Sequence, residues 1–127
     1  MTENEISNVV IGAAIEVHKE LGGPGLLEHI YEEALCRELI LKKLSVGRQK
    51  VVPVQYKGTL LVKNLILDVL VNEKVVVEIK ATERHNPIYE AQLLTYLRVA
   101  NKKLGLILNF GEQNVARGVK RVVNKLS

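Results

Sequence analysis

The chain of 127 residues has a formal net charge of +4, with 47% hydrophobic and 25% charged residues, which is typical of a globular domain with a buried core. No apolar run is long enough to cross a bilayer, Met1–Glu5 is too polar for a signal peptide, and the single Cys36 cannot form an internal disulfide. These features exclude a membrane-spanning or disulfide-stapled protein and predict a cytoplasmic one.

The first part of the chain predicts two helices. Apolar residues recur at helical spacing from Glu3 to Leu21, and the glycines and proline of residues 22–25 end this helix. A second helix is predicted from Leu26 to Leu44. Its predicted core residues are Ile30, Ala34, Leu35, Leu39 and Leu41.

Three strands are predicted next. Val46–Tyr56 is interpreted as an edge strand, because Pro53 lacks the amide that a central strand donates. Residues 65–71 and 75–81 are apolar runs typical of buried strands.

One helix and two short strands complete the prediction. The helix begins at Asn86-Pro87, an N-cap residue followed by proline at the first helical position, and it continues to Ala100. A strand follows at 104–110. The basic tail from residue 115 to 126 could be helix or strand, and a strand around 119–123 is favoured. The order α-α-β-β-β-α-β plus a short C-terminal element predicts an α/β fold. A mixed sheet would be flanked by helices in a single domain of residues 1–127.

Asp68, Glu78 and Lys80 interrupt the two buried runs. A buried charge is costly unless it is paired or bound to a metal. A three-residue turn at 72–74 would pair Asp68 with Glu78, with Cβ atoms about 4.5–5.5 Å apart, and Lys80 would share their face. A two-residue turn would shift this register, but it would require a positive φ at Glu73. The opposite face would be wholly apolar: Leu67, Val69, Val71, Val75, Val77 and Ile79.

Two interpretations explain the paired carboxylates. A divalent cation bound by both would offset their repulsion, and such hard oxygen ligands favour Mg²⁺ or Mn²⁺. Lys80 alone is the other possible counter-ion, in a half-buried Glu–Lys pair without a metal. No cluster of cysteine and histidine competes, because His18, His29 and His85 are scattered in the sequence.

Asp68 with Glu78-Ile79-Lys80 resembles the active-site signature of the PD-(D/E)xK nuclease superfamily. Leu67 stands where that signature usually has proline. The resemblance implies a restriction-endonuclease-like core and metal-dependent hydrolysis of phosphodiester bonds, with DNA as the expected substrate. It also implies that Asp68, Glu78 and the main-chain carbonyl of Ile79 bind Mg²⁺ or Mn²⁺, while Lys80 assists the attacking water.

Two further motifs sharpen this resemblance. Gly25, Glu28 and Tyr31 match the pattern of the GxxExxY family, a small bacterial and archaeal branch of the superfamily. Gln92 and Tyr96 are similar to the QxxxY motif of its exonuclease branch, and their spacing puts them on one helix face. Together the motifs extend the resemblance from about residue 6 to residue 123.

The resemblance assigns roles to the motif residues. Gln92 and Tyr96 would position the lysine, the water or the strand. Glu28 would reach the metal, in related nucleases often through water. A carboxylate in the first turn of a helix also stabilises that helix through its dipole, so both roles for Glu28 remain open.

A non-catalytic nucleic-acid-binding or assembly module that keeps the nuclease fold is the alternative function. The core fold takes up nearly the whole chain, so gripping DNA would call for a homodimer or a partner protein. The intact Asp68, Glu78 and Lys80 favour catalysis. Basic residues available for phosphate contacts are Lys42, Lys43, Arg48, Lys50, Arg84, Lys102, Lys103, Arg117, Lys120 and Arg121.

Overall fold

A five-stranded mixed sheet lies between helices in the computed structural model, which describes residues 1–126. The helices are α1 (Glu3–Glu20), α2 (Glu28–Leu41) and α3 (Ile88–Ala100), with a short 3-10 helix at Val115–Gly118. The strands are β1 (Val46–Val52), β2 (Gln55–Tyr56), β3 (Thr59–Leu60), β4 (Leu65–Val71), β5 (Val75–Lys80), β6 (Leu104–Asn109) and β7 (Val119–Val123). In residues 1–126 no helix is long and apolar enough to cross a membrane.

The sheet order is β1-β4-β5-β6-β7, and β2 and β3 form a separate hairpin. Strands β5 and β6 are parallel, because α3 connects them, and the other neighbours are antiparallel. This is the mixed α/β architecture of the PD-(D/E)xK nuclease-like fold, as the sequence predicts.

Hydrophobic clusters cover both faces of the sheet. On one face α1 and α2 pack against the strands through residues such as Val10, Leu35 and Val77. On the other face α3 contributes Leu93 and Leu97 to a smaller cluster. The central strands are therefore buried on both sides, which explains why they are nearly continuous apolar runs.

The predicted strand Val46–Tyr56 is wrong at its end. Strand β1 ends at Val52, just before Pro53, and it lies at the sheet edge as predicted. The chain then leaves the sheet and forms the β2–β3 hairpin, whose two-residue turn Lys57-Gly58 has positive φ at both positions. That conformation is the turn type that tight hairpins favour.

The predicted core face of the second helix is wrong at two of its five residues. Helix α2 is shorter than predicted, and Ile30 and Leu41 are exposed. Its buried side includes Tyr31 and Glu32. The hydroxyl of Tyr31 donates to the Gly23 carbonyl at 2.6 Å, so this tyrosine fixes the loop before the helix. A tyrosine and a glutamate thus occupy core-facing positions that apolar periodicity alone assigns to isoleucine and leucine.

The remaining elements agree with the prediction within one or two residues, the usual uncertainty of helix and strand ends. At the start of α3, Asn86 Oδ1 accepts a hydrogen bond from the Ile88 amide at 3.0 Å, so Asn86 caps this helix. Strand β7 spans the predicted residues.

Asn109 connects the end of β6 to the segment that follows β5. Its Oδ1 accepts hydrogen bonds from the amides of Thr82 and Gly111, and its Nδ2 donates to Thr82 Oγ1 at 3.1 Å. The backbones approach so closely that a Cβ at Gly111 would lie 2.1 Å from the Thr82 carbonyl oxygen. These contacts fix the chain directly after Lys80.

We expect Gly111→Ala to lower the free energy of unfolding by about 1–3 kcal/mol, the usual cost of overpacking, because the clash is with backbone. Gly12→Ala is the matched control, since nothing lies within 4 Å of a Cβ there. In a helix interior that change stabilises by about 0.5–1 kcal/mol. Chemical denaturation measures both, and equal stabilities for the two variants would contradict the role of Gly111.

Candidate active site

The turn between β4 and β5 has the predicted three residues, 72–74. Val69 pairs with Val77 in the antiparallel ladder. Asp68 and Glu78 are the next residues on the two strands, so the ladder ends where the carboxylates begin. The predicted juxtaposition of Asp68 and Glu78 is therefore present.

A two-residue turn was disfavoured because it would require a positive φ at Glu73, and this reason is wrong. Asn72 and Glu73 both have positive φ, of 52° and 55°, although the loop has three residues. The Asn72 side chain stabilises the turn instead, because its Oδ1 accepts from the Ser45 amide at 2.8 Å. The main-chain amide of Asn72 donates to the Ser45 carbonyl at 2.9 Å.

Two reciprocal hydrogen bonds hold the carboxylates together. The Asp68 amide donates to Glu78 Oε2 at 2.9 Å, and the Ile79 amide donates to Asp68 Oδ2 at 2.9 Å. Within residues 1–126 no protein group hydrogen-bonds to Asp68 Oδ1 or Glu78 Oε1. Neither of these oxygens is fully buried. Each carboxylate therefore uses one oxygen to fix its position and keeps the other for a ligand.

The pair is electrostatically unfavourable when both groups are charged. Glu78 is 8% exposed, and burial, followed by the charge of Asp68, raises its pKa to about 8. Burial also raises the pKa of Asp68, while the hydrogen bond from the Ile79 amide opposes this shift. A cation between the two free oxygens would remove this penalty.

Lys80 does not form the Glu–Lys pair considered from the sequence. None of the ion pairs within residues 1–126 involves Lys80. Its Nζ lies 4.6 Å from the centroid of the Tyr89 ring, a cation–π contact. Tyr89 in turn contacts the edge of His85 at 5.7 Å. Tyr89 has no role among the predictions from the sequence. Its helical spacing to Gln92 and Tyr96 was a usable signal that it shares their helix face.

Helix α3 brings Tyr96 to the carboxylates. Burial raises the pKa of the Tyr96 hydroxyl, and the charges of Glu78 and Asp68 raise it further. Gln92 lies one turn earlier and is exposed. No hydrogen bond within the described part of the chain joins Gln92 to Asp68 or Glu78.

Helix α2 brings Glu28 near Asp68 without making it a third ligand. Glu28 is the first helical residue and is exposed, and its charge contributes to raising the pKa of Asp68. In residues 1–126 no three histidine, cysteine, aspartate or glutamate side chains lie close enough to hold a metal ion together.

Glu32 is the functional candidate that sequence reasoning missed. This buried carboxylate accepts from Arg48 Nε at 2.6 Å and from Gln49 Nε2 at 2.9 Å. Among the neighbouring charges, Glu32 raises the pKa of Asp68 more than Glu28 does. Its position four residues after Glu28 was a usable signal, because such residues share a helix face.

The predicted wholly apolar face of the two strands is wrong at one residue. Leu67 packs on the α3 side with Leu70 and Val76, not with the α1–α2 cluster. The β1–β4 ladder keeps its register but lacks the Gln49–Asp68 pair, and the φ of Gln49 is 51°. The regular pleat is thus interrupted opposite Asp68, and the alternation of side chains fails there.

The donor set fits a hard divalent cation. Each carboxylate of Asp68 and Glu78 has one free oxygen, and such oxygens are the ligands that these cations prefer. The Ile79 amide points towards Asp68. The N–H and C=O groups of one strand residue point to the same side of the strand. The Ile79 carbonyl therefore lies on the side that faces Asp68.

One solved structure and one family model are similar to this chain. A solved structure titled "Crystal structure of SSO0001" is similar with a TM-score of 0.48 and 13% identity, covering 96% of this chain and 79% of that one. No curated protein matches the chain. The family model for the PD-(D/E)XK nuclease superfamily matches residues 4–122. The chain therefore belongs to the PD-(D/E)XK nuclease superfamily.

Proposed function

We propose that the protein is a nuclease that hydrolyses phosphodiester bonds in DNA with the help of Mg²⁺ or Mn²⁺. Membership of the superfamily implies a metal-dependent nuclease and a nucleic-acid substrate. The observation that carries the proposal to this chain is the pair of the half-buried Asp68 and the buried Glu78. Hydrogen bonds hold the two carboxylates, and neither has a cationic partner in an ion pair within residues 1–126.

Asp68, Glu78 and the Ile79 carbonyl would hold the ion. When bound, the ion would polarise the scissile phosphate and lower the pKa of a bound water. Lys80 would orient or deprotonate that water, or stabilise the charge that develops on the phosphate. Its contact with Tyr89 supports this role, because the ring restrains a long side chain without neutralising its charge.

Tyr96 and Gln92 would position the substrate strand, and Glu28 would contact a water of the ion. For Tyr96 the support is that the charges of both carboxylates help to raise the pKa of its hydroxyl. Gly25, Glu28 and Tyr31 support assignment to the GxxExxY branch. We further propose that residues 1–127 act as one catalytic domain in the cytoplasm, alone, as a homodimer or with a partner protein.

Removal of the lysine tests this proposal directly. We expect Lys80→Ala to reduce Mg²⁺- or Mn²⁺-dependent cleavage by about 10²–10⁴-fold, the range for loss of an acid–base group. Labelled linear and circular DNA, single- and double-stranded, are the substrates, and loss of activity on circles identifies an exonuclease.

Lys19→Ala, an exposed lysine of α1, is the matched control and should cleave like wild type, whereas a chelator should abolish cleavage. If folded wild type cleaves none of these substrates, or Lys80→Ala cleaves normally, the catalytic proposal fails. The non-catalytic module then becomes the better account.

The raised pKa of Glu78 predicts how stability depends on pH without metal. Between the ordinary value of 4.5 and about 8, the folded state keeps a proton that the unfolded state has lost. Stability should therefore fall as pH rises through this window. Glu78→Gln should be more stable than wild type at pH 8, by about 1 kcal/mol or more, and should lose most of this advantage at pH 5.

Thermal unfolding with and without Mg²⁺ measures this effect. Wild type should gain more from the ion at pH 8 than at pH 5, because binding displaces the proton. Glu78→Gln should gain little at either pH. Glu20→Gln, an exposed carboxylate, should behave like wild type, and equal Mg²⁺ stabilisation of all three proteins would argue against the metal site.

Glu32 would strengthen binding of the ion without contacting it. Its charge reaches both Asp68 and Glu78, and its bonds to Arg48 and Gln49 fix the strand opposite Asp68. Residues that support the ligands of a metal without binding it typically contribute about 10–100-fold in metal affinity. We expect Glu32→Gln to raise the Mg²⁺ concentration for half-maximal cleavage about tenfold.

Glu33→Gln is the control for this measurement, since Glu33 is the next residue on the helix and is exposed. Magnesium titrations of cleavage, with unfolding curves to check folding, compare the two variants. The same Mg²⁺ dependence for both would contradict a role for Glu32 at the ion site.

A further inference from the structure

The β2–β3 hairpin presents apolar side chains that the fold does not use. Tyr56, Leu60 and Val62 are 61%, 60% and 99% exposed, and none belongs to either hydrophobic cluster. Exposed apolar patches rimmed by charge mark binding surfaces. The hairpin surface is defined here as Tyr56, Lys57, Leu60, Leu61, Val62 and Lys63.

The charge around the hairpin surface has one sign. Residues 39–67 contain six lysines or arginines and no acidic residue, although the whole chain has 14 acidic residues. Arg48 pairs with Glu32, and Lys50 lies 3.9 Å from Glu73. Lys57 and Lys63 form no ion pair within residues 1–126. The hairpin therefore carries unneutralised positive charge beside its apolar side chains.

The hairpin is an ordered ribbon. Tyr56 pairs with Thr59 across the turn, and the Leu61 amide donates to the Val54 carbonyl at 2.8 Å. Lys57 Nζ lies 5.5 Å from the centroid of the Tyr56 ring. An aromatic face and a cation thus lie side by side on a preorganised support.

The hairpin also lies beside the candidate active site. It leaves the sheet between Val52 and Leu65, which pair with each other. Asp68 follows Leu65 by three residues, or about 10 Å along a strand. Strand β5 runs antiparallel to β4, so β5 ends, at Lys80, at the same end of the sheet where the hairpin begins.

A cleft connects the hairpin to α3. A cavity of about 420 Å³ is lined by Pro53, Val54 and Gln55 of the hairpin stem and by Arg98 and Val99 of the helix. Its size lies within the range of about 300–1,000 Å³ for ligand sites.

The α3 side of this cleft extends towards the carboxylates. Val99 lies one helical turn beyond Tyr96, the tyrosine whose hydroxyl senses the charges of Asp68 and Glu78. Arg98 forms no ion pair within the described residues, so its charge is available to a phosphate.

Resting on the proposed nuclease function, we propose that the hairpin surface and the Arg98 cleft bind unpaired nucleotides of the substrate strand. Tyr56 stacks on a base, while Lys57 and Arg98 contact phosphates. The apolar faces of bases are accessible in single strands and buried in a duplex, which makes an unpaired strand the better match for exposed aromatic and aliphatic groups. A second copy of this chain is the poorer match, because two identical basic surfaces repel each other.

Binding of a fluorescently labelled single strand and of a fully paired, blunt-ended duplex tests this inference, by anisotropy in chelator so that nothing is cut. The single strand should bind more tightly. Tyr56→Ser should bind the single strand about tenfold more weakly, the effect of losing one stacked base. Tyr56→Phe should bind normally. Leu60→Ser is compared with Leu41→Ser, since these leucines are 60% and 59% exposed, and only the hairpin variant should weaken binding.

Salt titrations of the same binding test the charges. Lys57→Gln and Arg98→Gln should each reduce the slope of log affinity against log salt by about 0.7, the value for one phosphate contact to a single strand. Lys19→Gln, an exposed lysine of α1, should leave the slope unchanged.

Cleavage with Mg²⁺ separates the two proposals. If the hairpin variants bind and cleave single strands like wild type, the inference is overturned and the nuclease function stands. If wild type binds single strands through Tyr56 but cleaves nothing, the inference stands and the nuclease function fails. If Tyr56→Ser splits a dimer in sedimentation without changing affinity, the surface joins two copies and the inference is overturned.

Discussion

Two hydrogen bonds across the end of the β4–β5 ladder are the constraint on which the site depends. The Asp68 amide reaches Glu78 and the Ile79 amide reaches Asp68, so each carboxylate is fixed by the strand that carries the other. Amides that would otherwise continue the ladder instead bind carboxylates. The arrangement works only in one register, because a slip by one residue turns every side chain to the opposite face.

The rest of the fold keeps this register rigid and the site open. Helices on both faces bury the strands, so the carboxylates sit on strands inside the core, where positions are better defined than on loops. Asn109 fixes the chain after Lys80 through two hydrogen bonds to Thr82. The starts of α2 and α3 then bring Glu28 and Tyr89 towards the same edge. Stability and site geometry therefore rest on the same contacts.

The sequence predicts those parts of the structure that follow from local rules. Turn length and the two-residue period of strands suffice to place Asp68 opposite Glu78, and apolar runs suffice for the fold class. Glu32 and Leu67 could not be placed in this way. Glu32 is buried because Arg48 and Gln49 of β1 satisfy it. Leu67 changes sides where the β1–β4 ladder lacks the Gln49–Asp68 pair. Both depend on the neighbouring strand β1, which no local pattern describes.

The distribution of charge explains why a cation would be required. The site gathers the carboxyl groups of Asp68, Glu78 and Glu32 within a chain whose net charge is +4. A phosphate approaching these carboxylates is repelled unless a divalent cation lies between them. Affinity for a polyanion must then come from elsewhere on the molecule. The basic segment from residue 39 to 67 lies directly before Asp68 in the sequence, so attraction and chemistry would be supplied by adjacent parts of one chain.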